Sequence, residues 1–176
     1  MDKEYIKITF PDGRKQDFKY GTTGYDIAKS ISPSLLKKAI AIEIDGSEQD
    51  LCENISSDAN ISILTLNDNK GLSIMRHTLT AQVLAKALKN LYPNVKLAIG
   101  PVIENGFYYD FDLDKSITIQ DLPKIEKEMK KIISSGNEIE KKYLSKKKVA
   151  DLFRNKNETY KVDTVSYTHL RAHETS

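Results

Sequence analysis

Three observations predict an α+β fold in two successive pieces. Runs in which apolar and polar residues alternate recur between residues 5 and 66 and again after residue 106, as expected of half-buried strands. Apolar residues at helical spacing run from Met75 to Leu91 and from Ile125 to Ile133. A content of 39% hydrophobic and 30% charged residues in 176 positions fits one or two small soluble domains.

The first piece has the element order of a β-grasp, or ubiquitin-like, fold. A hairpin turns at Pro11-Asp12-Gly13, a short helix opens after Gly21, and two strands flank a second turn at Asp45-Gly46. A core this small is marginal alone, which suggests a module on a larger body. The apolar residues of its predicted strands are Ile6, Ile8, Phe10, Phe18, Tyr20, Ile40, Ile42, Ile44, Ile61, Ile63 and Leu64.

The second piece combines helices with an antiparallel sheet. The helix that carries Met75 ends at Tyr92-Pro93, and a second helix begins at Asp121-Leu122-Pro123, because proline is tolerated in a first turn. Ser145 is a suitable N-cap for a third helix. We expect strands at 138–144 and 160–162, so that helices pack on one face of the sheet.

A β-hairpin at residues 96–113 is the most informative segment. Gly100-Pro101 bends the incoming run, and Asn105-Gly106 supplies the positive φ angles that a tight primed turn requires. After the turn, alternate side chains are expected to point to opposite faces of the strand. Phe107, Tyr109 and Phe111 form one face, and Tyr108, Asp110 and Asp112 form the other.

The hairpin resembles a known family. Its string Ala-Ile-Gly-Pro-Val-Ile-Glu-Asn-Gly-Phe-Tyr-Tyr-Asp-Phe is similar to the start of the editing domain of bacterial threonyl-tRNA synthetases. The first piece resembles a TGS domain, a β-grasp module, in its Pro-Asp-Gly turn, its helix opening and its strand at 41–46. The resemblance implies a TGS domain at 1–66, a linker at 67–71 and an incomplete α+β editing domain of the threonyl/alanyl type at 72–164.

This resemblance implies a function for a longer parent enzyme. Such an enzyme joins threonine to its tRNA with ATP and hydrolyses serine that was wrongly attached, because a pocket for threonine cannot exclude the smaller serine. We expect ATP, magnesium and zinc in an aminoacylation core outside these residues, no cofactor within them, a homodimeric parent and a cytoplasmic location. The chain itself is expected to be inactive in aminoacylation, with at most weak RNA contacts through residues 76–148.

Two rival hypotheses stay open. One is a free-standing trans-editing hydrolase, and the other is a TGS-containing regulatory or GTPase protein. The hairpin argues against the second rival, because nothing in those proteins requires it. An intact reading frame beyond codon 164 would decide the first.

His77 is the candidate catalytic residue and Gln82 the candidate substrate-binding residue. The family carries a His-x-x-x-His pair on its first editing helix; His77 aligns with the first histidine, and Ala81 stands four residues later. The run Ala-Gln-Val-Leu resembles the family's Ala-His-Leu-Leu, but aligning Gln82 there shifts His77 by one place. On an ideal α-helix His77 projects about 20° from Leu84 and Leu88, so a pocket role and a packing role both stay open. We expect no metal at His77.

Charge is distributed unevenly. Residues 1–66 carry eight Lys and Arg against eleven Asp and Glu, whereas residues 67–164 carry eighteen against thirteen. The excess is concentrated in five lysines, which could contact a phosphate backbone or form a solvated face. They are Lys141, Lys142, Lys146, Lys147 and Lys148.

The last twelve residues, 165–176, resemble a translated sequencing adapter, and we expect a non-native tail there. His169 and His173 fall in this tail, so their i, i+4 spacing predicts no metal site. A single cysteine, Cys52, excludes an internal disulfide and is expected to pack as a small apolar group. The sequence shows neither a secretory signal nor an apolar run long enough for a membrane span.

Overall fold

The structure is a computed structural model that describes residues 4–98, 100–137 and 142–167. The chain divides into two compact units, residues 1–76 and 77–176, which are described separately. Both mix helices with strands, so the α+β class predicted from the sequence is confirmed. In the ranges the structure describes, no helix is long and apolar enough to span a bilayer.

Unit 1 is a five-stranded sheet with helices. Its order is β2-β1-β5-β3-β4, in which β1 and β5 run parallel and the other neighbours run antiparallel. The central parallel pair flanked by hairpins is the arrangement expected of the predicted β-grasp. The elements are β1 Tyr5–Thr9, β2 Lys15–Lys19, α1 Gly24–Ile31, α2 Pro33–Lys38, β3 Ala39–Ile44, β4 Ser47–Gln49, β5 Ala59–Thr65 and α3 Asn69–Thr78.

The core of unit 1 contains some of the apolar strand residues that the period-two pattern predicts, whereas Tyr20, also predicted, is exposed. Helix α1 approaches β3 closely at Gly24, where an added Cβ would lie 3.0 Å from Ile42 Cγ2. Any larger residue at Gly24 would therefore push the helix off the sheet. The buried cluster comprises Ile6, Ile8, Phe10, Ile27, Ile42, Ile55, Ala59 and Ile61.

A capping box starts α1. The backbone N–H of Asp26 donates to Thr23 Oγ1 at 3.1 Å, and the N–H of Thr23 donates to Asp26 Oδ2 at 3.1 Å. The Thr23 hydroxyl also donates to that carboxylate at 2.6 Å. These hydrogen bonds lower the pKa of Asp26 and satisfy donors that the helix cannot pair internally.

Unit 2 surrounds a smaller core. Residues Leu79–Leu84 form a π-helical turn, and a 3-10 turn at Ile119–Asp121 precedes α5. The core contains Ala85, Leu88, Val95, Leu97 and Ile125. The remaining elements are α4 Ala85–Leu91, β6 Lys96–Leu97, β7 Val102–Ile103, β8 Gly106–Phe107, β9 Phe111–Asp112, α5 Leu122–Ser134, α6 Lys146–Asn155 and α7 Thr159–Tyr167.

The predicted hairpin is confirmed, but its turn lies one residue earlier than expected. Ile103 pairs with Gly106, which leaves Glu104 and Asn105 as the loop, and neither Asn105 nor Gly106 has a positive φ angle. Gly106 is a strand residue because the pairing continues through it. The predicted alternation holds, since residues 107, 109 and 111 are half-buried and residues 108, 110 and 112 are exposed.

Several local predictions differ from the structure. Tyr160 to Val162, predicted as a strand, lie in α7, because Asn157 turns the chain at φ 57° and the Glu158 carbonyl accepts from the N–H groups of Lys161 and Val162. The predicted strand at 138–144 lies largely outside the described residues, and residues 142–144 form neither helix nor strand. Cys52, predicted to pack inside, is exposed.

The predicted domain limits stay predictions. The expected linker at 67–71 overlaps the start of α3, where Gly71 packs against the carbonyl of Thr65. In the expected tail, residues 165–167 extend α7, and residues 168–176, with His169 and His173, lie outside the described residues. Helix α2, which follows a cap at Ser32, was not predicted.

Replacing Thr23 with alanine should destabilise unit 1 by about 1 kcal/mol, because the cap of α1 is lost. Chemical denaturation followed by circular dichroism measures the change in free energy of unfolding. Thr22→Ala, one residue earlier and outside the cap, is the matched control and should change stability by less than about 0.5 kcal/mol. Equal losses in the two variants would contradict this role of Thr23.

The cap should also add to acid sensitivity. Because the pKa of Asp26 is lower in the folded state, its contribution is fully present above the unfolded value of about 3.9 and disappears as the pH falls through the folded value. The difference in free energy of unfolding between the wild type and Thr23→Ala should therefore become smaller below pH 4. A difference that stays constant from pH 7 to pH 2 would contradict the linkage.

Candidate active site

A cleft of about 430 Å³ in unit 2 contains the one imidazole that the described ranges hold, that of His77. The cleft lies where the end of α3 and the π-turn meet the bend before β7 and the helices α6 and α7. Its lining is partly apolar and partly polar, as in sites that bind small organic groups. The lining residues are His77, Thr80, Ala81, Ala98, Gly100, Pro101, Tyr109, Phe153, Lys161, Thr164 and Val165.

A π-turn at Leu79–Leu84 follows His77 on the helix that lines the cleft. The N–H of Ala85 donates to the carbonyl of Thr80, five residues earlier, so this turn holds one residue more than an α-turn. Aligning Gln82 with the family's second histidine displaces His77 by one position, and Gln82 lies within this turn. The angle of about 20° between His77 and the residues Leu84 and Leu88, which was calculated for an ideal α-helix, therefore does not apply.

The structure places the two predicted site residues differently. His77 is exposed at residue level and lines the cleft. Gln82 is exposed and is not among the lining residues, whereas Ala81 is. Ala81 follows His77 by four residues and lies on the same side of the helix, whereas Gln82, one residue further along, projects away from the cleft.

Gly100 allows the cleft wall to close. A Cβ at Gly100 would collide with the ring of Tyr109 and would lie 2.8 Å from Thr80 Cγ2. The bend at Gly100-Pro101 thus brings backbone against an aromatic ring, which glycine alone permits. Burial, with a smaller effect of the Glu158 carboxylate, raises the pKa of Tyr109, so its hydroxyl stays protonated at neutral pH and can donate a hydrogen bond.

Sequence reasoning missed Lys161, which supplies the ammonium group of the cleft. Its Nζ lies 5.7 Å from the centroid of the Phe153 ring, a cation–π distance that restrains the side chain. Lys161 was assigned to a strand, so its contribution to a cleft on α7 could not be predicted. The segment around Lys161 is too short for a helical period to be recognised in the sequence.

A buried ion pair holds α7 in place. Lys89 Nζ lies 2.7 Å from Glu158 Oε1 and also donates to the carbonyl of Val95. The Glu158 side chain is 7% exposed, and its Oε2 has no hydrogen-bond partner among the described residues. Since Glu158 directly precedes α7, this pair fixes the helix that carries Lys161.

A second cleft, of about 420 Å³, lies between the end of α4 and the segment at 113–117 and includes Tyr92 and Asp121. It contains no imidazole, and the Asp121 carboxylate accepts from the N–H and hydroxyl of Thr118. In the described ranges no group of three or more His, Cys, Asp or Glu side chains is arranged to hold a metal. The His77 cleft is therefore the candidate active site.

Comparisons with known proteins agree on one family. The family model of the TGS domain matches residues 6–65. The chain is 46% identical over 160 residues to "Threonine--tRNA ligase" of Oceanobacillus iheyensis, covering 91% of this chain and 25% of that protein. It is 49% identical over 150 residues to "Threonine--tRNA ligase 1" of Bacillus subtilis (85% and 23%) and 47% identical over 162 residues to the Agrobacterium fabrum protein (92% and 24%).

Unit 1 thus contains a TGS domain. The protein is of the class in which this β-grasp module is followed along the chain by an α+β unit that contains a cleft. Over 85–92% of its own length the chain is similar to bacterial threonine–tRNA ligases, at 46–49% identity. It spans about a quarter of the length of the curated relatives it matches.

Gly100→Ala should destabilise unit 2 by about 1–3 kcal/mol, because the added methyl group meets Tyr109 and Thr80. Gly106→Ala is the matched control on the same hairpin, since a Cβ there has no heavy atom within 4 Å. Chemical denaturation of both variants measures the difference. Equal stability of the two variants would contradict the close packing at Gly100.

Lys89→Met should cost about 3–5 kcal/mol, because it leaves the Glu158 carboxylate buried without a counter-charge. Adding Glu158→Leu should recover part of the loss, since no buried charge remains. Lys130→Met, which removes an exposed pair with Glu126, should change stability by less than about 1 kcal/mol. A double variant as unstable as Lys89→Met would contradict the buried-charge explanation.

Proposed function

We propose that this chain is the N-terminal part of a threonine–tRNA ligase and that the His77 cleft belongs to its site for hydrolysing wrongly attached serine. The observation that carries the proposal is the 46–49% identity to proteins of that name across 85% or more of the chain. The position of His77 in a cleft supports the assignment of an editing role to unit 2.

The proposed reaction is hydrolysis of an ester. The oxygen of a water molecule attacks the carbonyl carbon of the seryl ester, the bond from that carbon to the ribose oxygen breaks, and the ribose oxygen takes the proton. An imidazole at His77 can orient and polarise the water. The Lys161 ammonium and the Tyr109 hydroxyl can stabilise the negative charge that develops on the carbonyl oxygen.

Gln82 has a smaller role in the proposal. Its amide can donate and accept hydrogen bonds but cannot titrate, so it can bind substrate and cannot serve as a base. We assign it to contacts with the substrate outside the His77 cleft. His77 then supplies the imidazole of this helix.

The remaining functions belong to the rest of the parent enzyme. Binding of threonine, ATP, magnesium and zinc is assigned to the three quarters of the relatives' length that this chain does not span. tRNA is the proposed macromolecular partner, the proposed parent is a homodimer, and the proposed compartment is the cytoplasm. This chain should therefore show no threonine-dependent exchange between ATP and pyrophosphate, and measurable exchange would contradict the division.

Binding of a substrate analogue tests the editing assignment. Titration of the chain with a non-hydrolysable amide of serine and 3′-aminoadenosine should shift the NMR signals of the His77 imidazole and the Tyr109 ring. His77→Ala should weaken binding about tenfold and Gln82→Ala about fivefold, as expected for one hydrogen bond each.

The controls separate specific binding from unspecific effects. Adenosine alone should bind more weakly than the serine amide, and Lys127→Ala, on the exposed surface of α5, should bind like the wild type. His77 signals that stay unchanged in a folded protein at a saturating concentration of the amide would overturn the assignment of the cleft. A chain that by itself releases serine rapidly from charged tRNA would favour the free-standing hydrolase.

A further inference from the structure

Three lysines from three different elements line a polar cleft of about 280 Å³ in unit 2. Lys89 comes from α4, Lys96 from β6, and Lys156 from the turn between α6 and α7. None of these residues lines the His77 cleft. The other lining residues used below are Asn94, Asp114 and Asn157.

Two of the three cations form no ion pair with a residue that the structure describes. Among the described residues, neither Lys96 nor Lys156 has an acidic group within ion-pair distance. Asp114 is the one acid in the lining, so the two lysines leave an excess of positive charge. Such an excess inside a concave surface attracts anions more strongly than lysines spread over a convex surface.

Lys89 provides a fixed donor in this cleft. Its ammonium group has three protons, and two are directed to Glu158 Oε1 and to the carbonyl of Val95. The side chain is 30% exposed, so the third proton remains available to a ligand in the cleft. A lysine held by a buried ion pair loses little conformational freedom when it binds.

The neutral donors match the same ligand chemistry. Asn94 and Asn157 can each present an amide N–H₂ group, and Asn157 is held at φ 57° in the turn beside Lys156. Three ammonium groups and two amides around one cavity suit a tetrahedral oxyanion with several acceptor oxygens. The cavity is several times the roughly 30 Å³ that one water molecule occupies in the liquid, so a hydrated phosphate fits.

We propose that this lysine cleft, defined by Lys89, Lys96 and Lys156, binds a phosphate group of an RNA backbone. The phosphate chemistry rests on the cleft itself, whereas RNA as its source rests on the function proposed above. Phosphate contacts position an RNA without reading its sequence. The lysine cleft would therefore hold the RNA in position while the ester is hydrolysed at the separate His77 cleft.

Two double variants, each of which replaces two lysines with neutral glutamine, test this proposal on the full chain. Lys96→Gln with Lys156→Gln removes both unpaired cations, and Lys127→Gln with Lys130→Gln removes the same charge from the exposed face of α5. Binding of a fluorescent acceptor-stem RNA duplex is measured over a series of salt concentrations. In parallel, NMR follows the Asn157 side-chain amide during titration with inorganic phosphate, and thermal unfolding confirms that each variant is folded.

The cleft variant should bind the duplex about tenfold more weakly at low salt, with the slope of log K against log salt reduced by about 1 to 2. The α5 variant should lose less than about threefold by the same long-range electrostatics. Equal losses in the two variants would overturn the proposal. The wild type could fail to bind RNA while inorganic phosphate still shifts the Asn157 amide signal. This result would contradict RNA as the source of the phosphate, together with the proposed function, and would support the anion-binding cleft itself.

Discussion

The buried ion pair between Lys89 and Glu158 is the interaction on which unit 2 depends. A carboxylate that is 7% exposed is stable only beside a counter-charge, and the one nearby is a lysine of α4 that also binds the Val95 carbonyl. The pair thus ties α4, the start of β6 and the start of α7 together. Lys161 follows Glu158 by three residues, so the same pair positions the ammonium of the His77 cleft, and Lys89 itself lines the lysine cleft.

The π-turn lies in the helix that carries the candidate active site. One additional residue in a helix shifts every later residue by about 100° relative to the residues before it. The shift acts on the core residues Ala85 and Leu88, whereas towards the cleft the helix still uses the positions three and four residues after His77. Here it presents the small side chain of Ala81, and the bend at Gly100 and the ring of Tyr109 close the opposite wall.

Much of unit 1 could be predicted because its signals are local and periodic. The alternation of Ile6 and Ile8, the Asp45-Gly46 turn and the helix that opens after Gly21 all agree with the fold, and each depends on a few neighbouring residues. Helix α2 was missed because it spans only six residues, Pro33–Lys38, and buries none of them. Its Ser-Pro start is a capping signal that could have revealed it.

The site was harder to predict, because it depends on contacts between distant segments. His77 could be chosen from its residue type, but Tyr109, Phe153 and Lys161 join it only through the tertiary fold. Gln82 was chosen by its similarity to a family pattern, but the residue that lines the cleft beside His77 is its neighbour Ala81. Lys161 was assigned to a strand because three residues, Tyr-Lys-Val, alternate in polarity over too short a window to separate strand from helix.

The two clefts of unit 2 differ in the chemistry they can support. The His77 cleft combines one imidazole, one ammonium group and aromatic walls, which are groups that can orient a small substrate and stabilise charge on it. The lysine cleft is polar and has unpaired cations, a setting that suits binding of a permanent anion. The substrate of the proposed function, an aminoacyl ester of RNA, carries both features, a reactive carbonyl and permanent phosphates. Under the two proposals these features would bind in separate clefts. Because Lys89 lines one cleft and Glu158 directly precedes the helix that carries Lys161 of the other, loss of their ion pair would affect both.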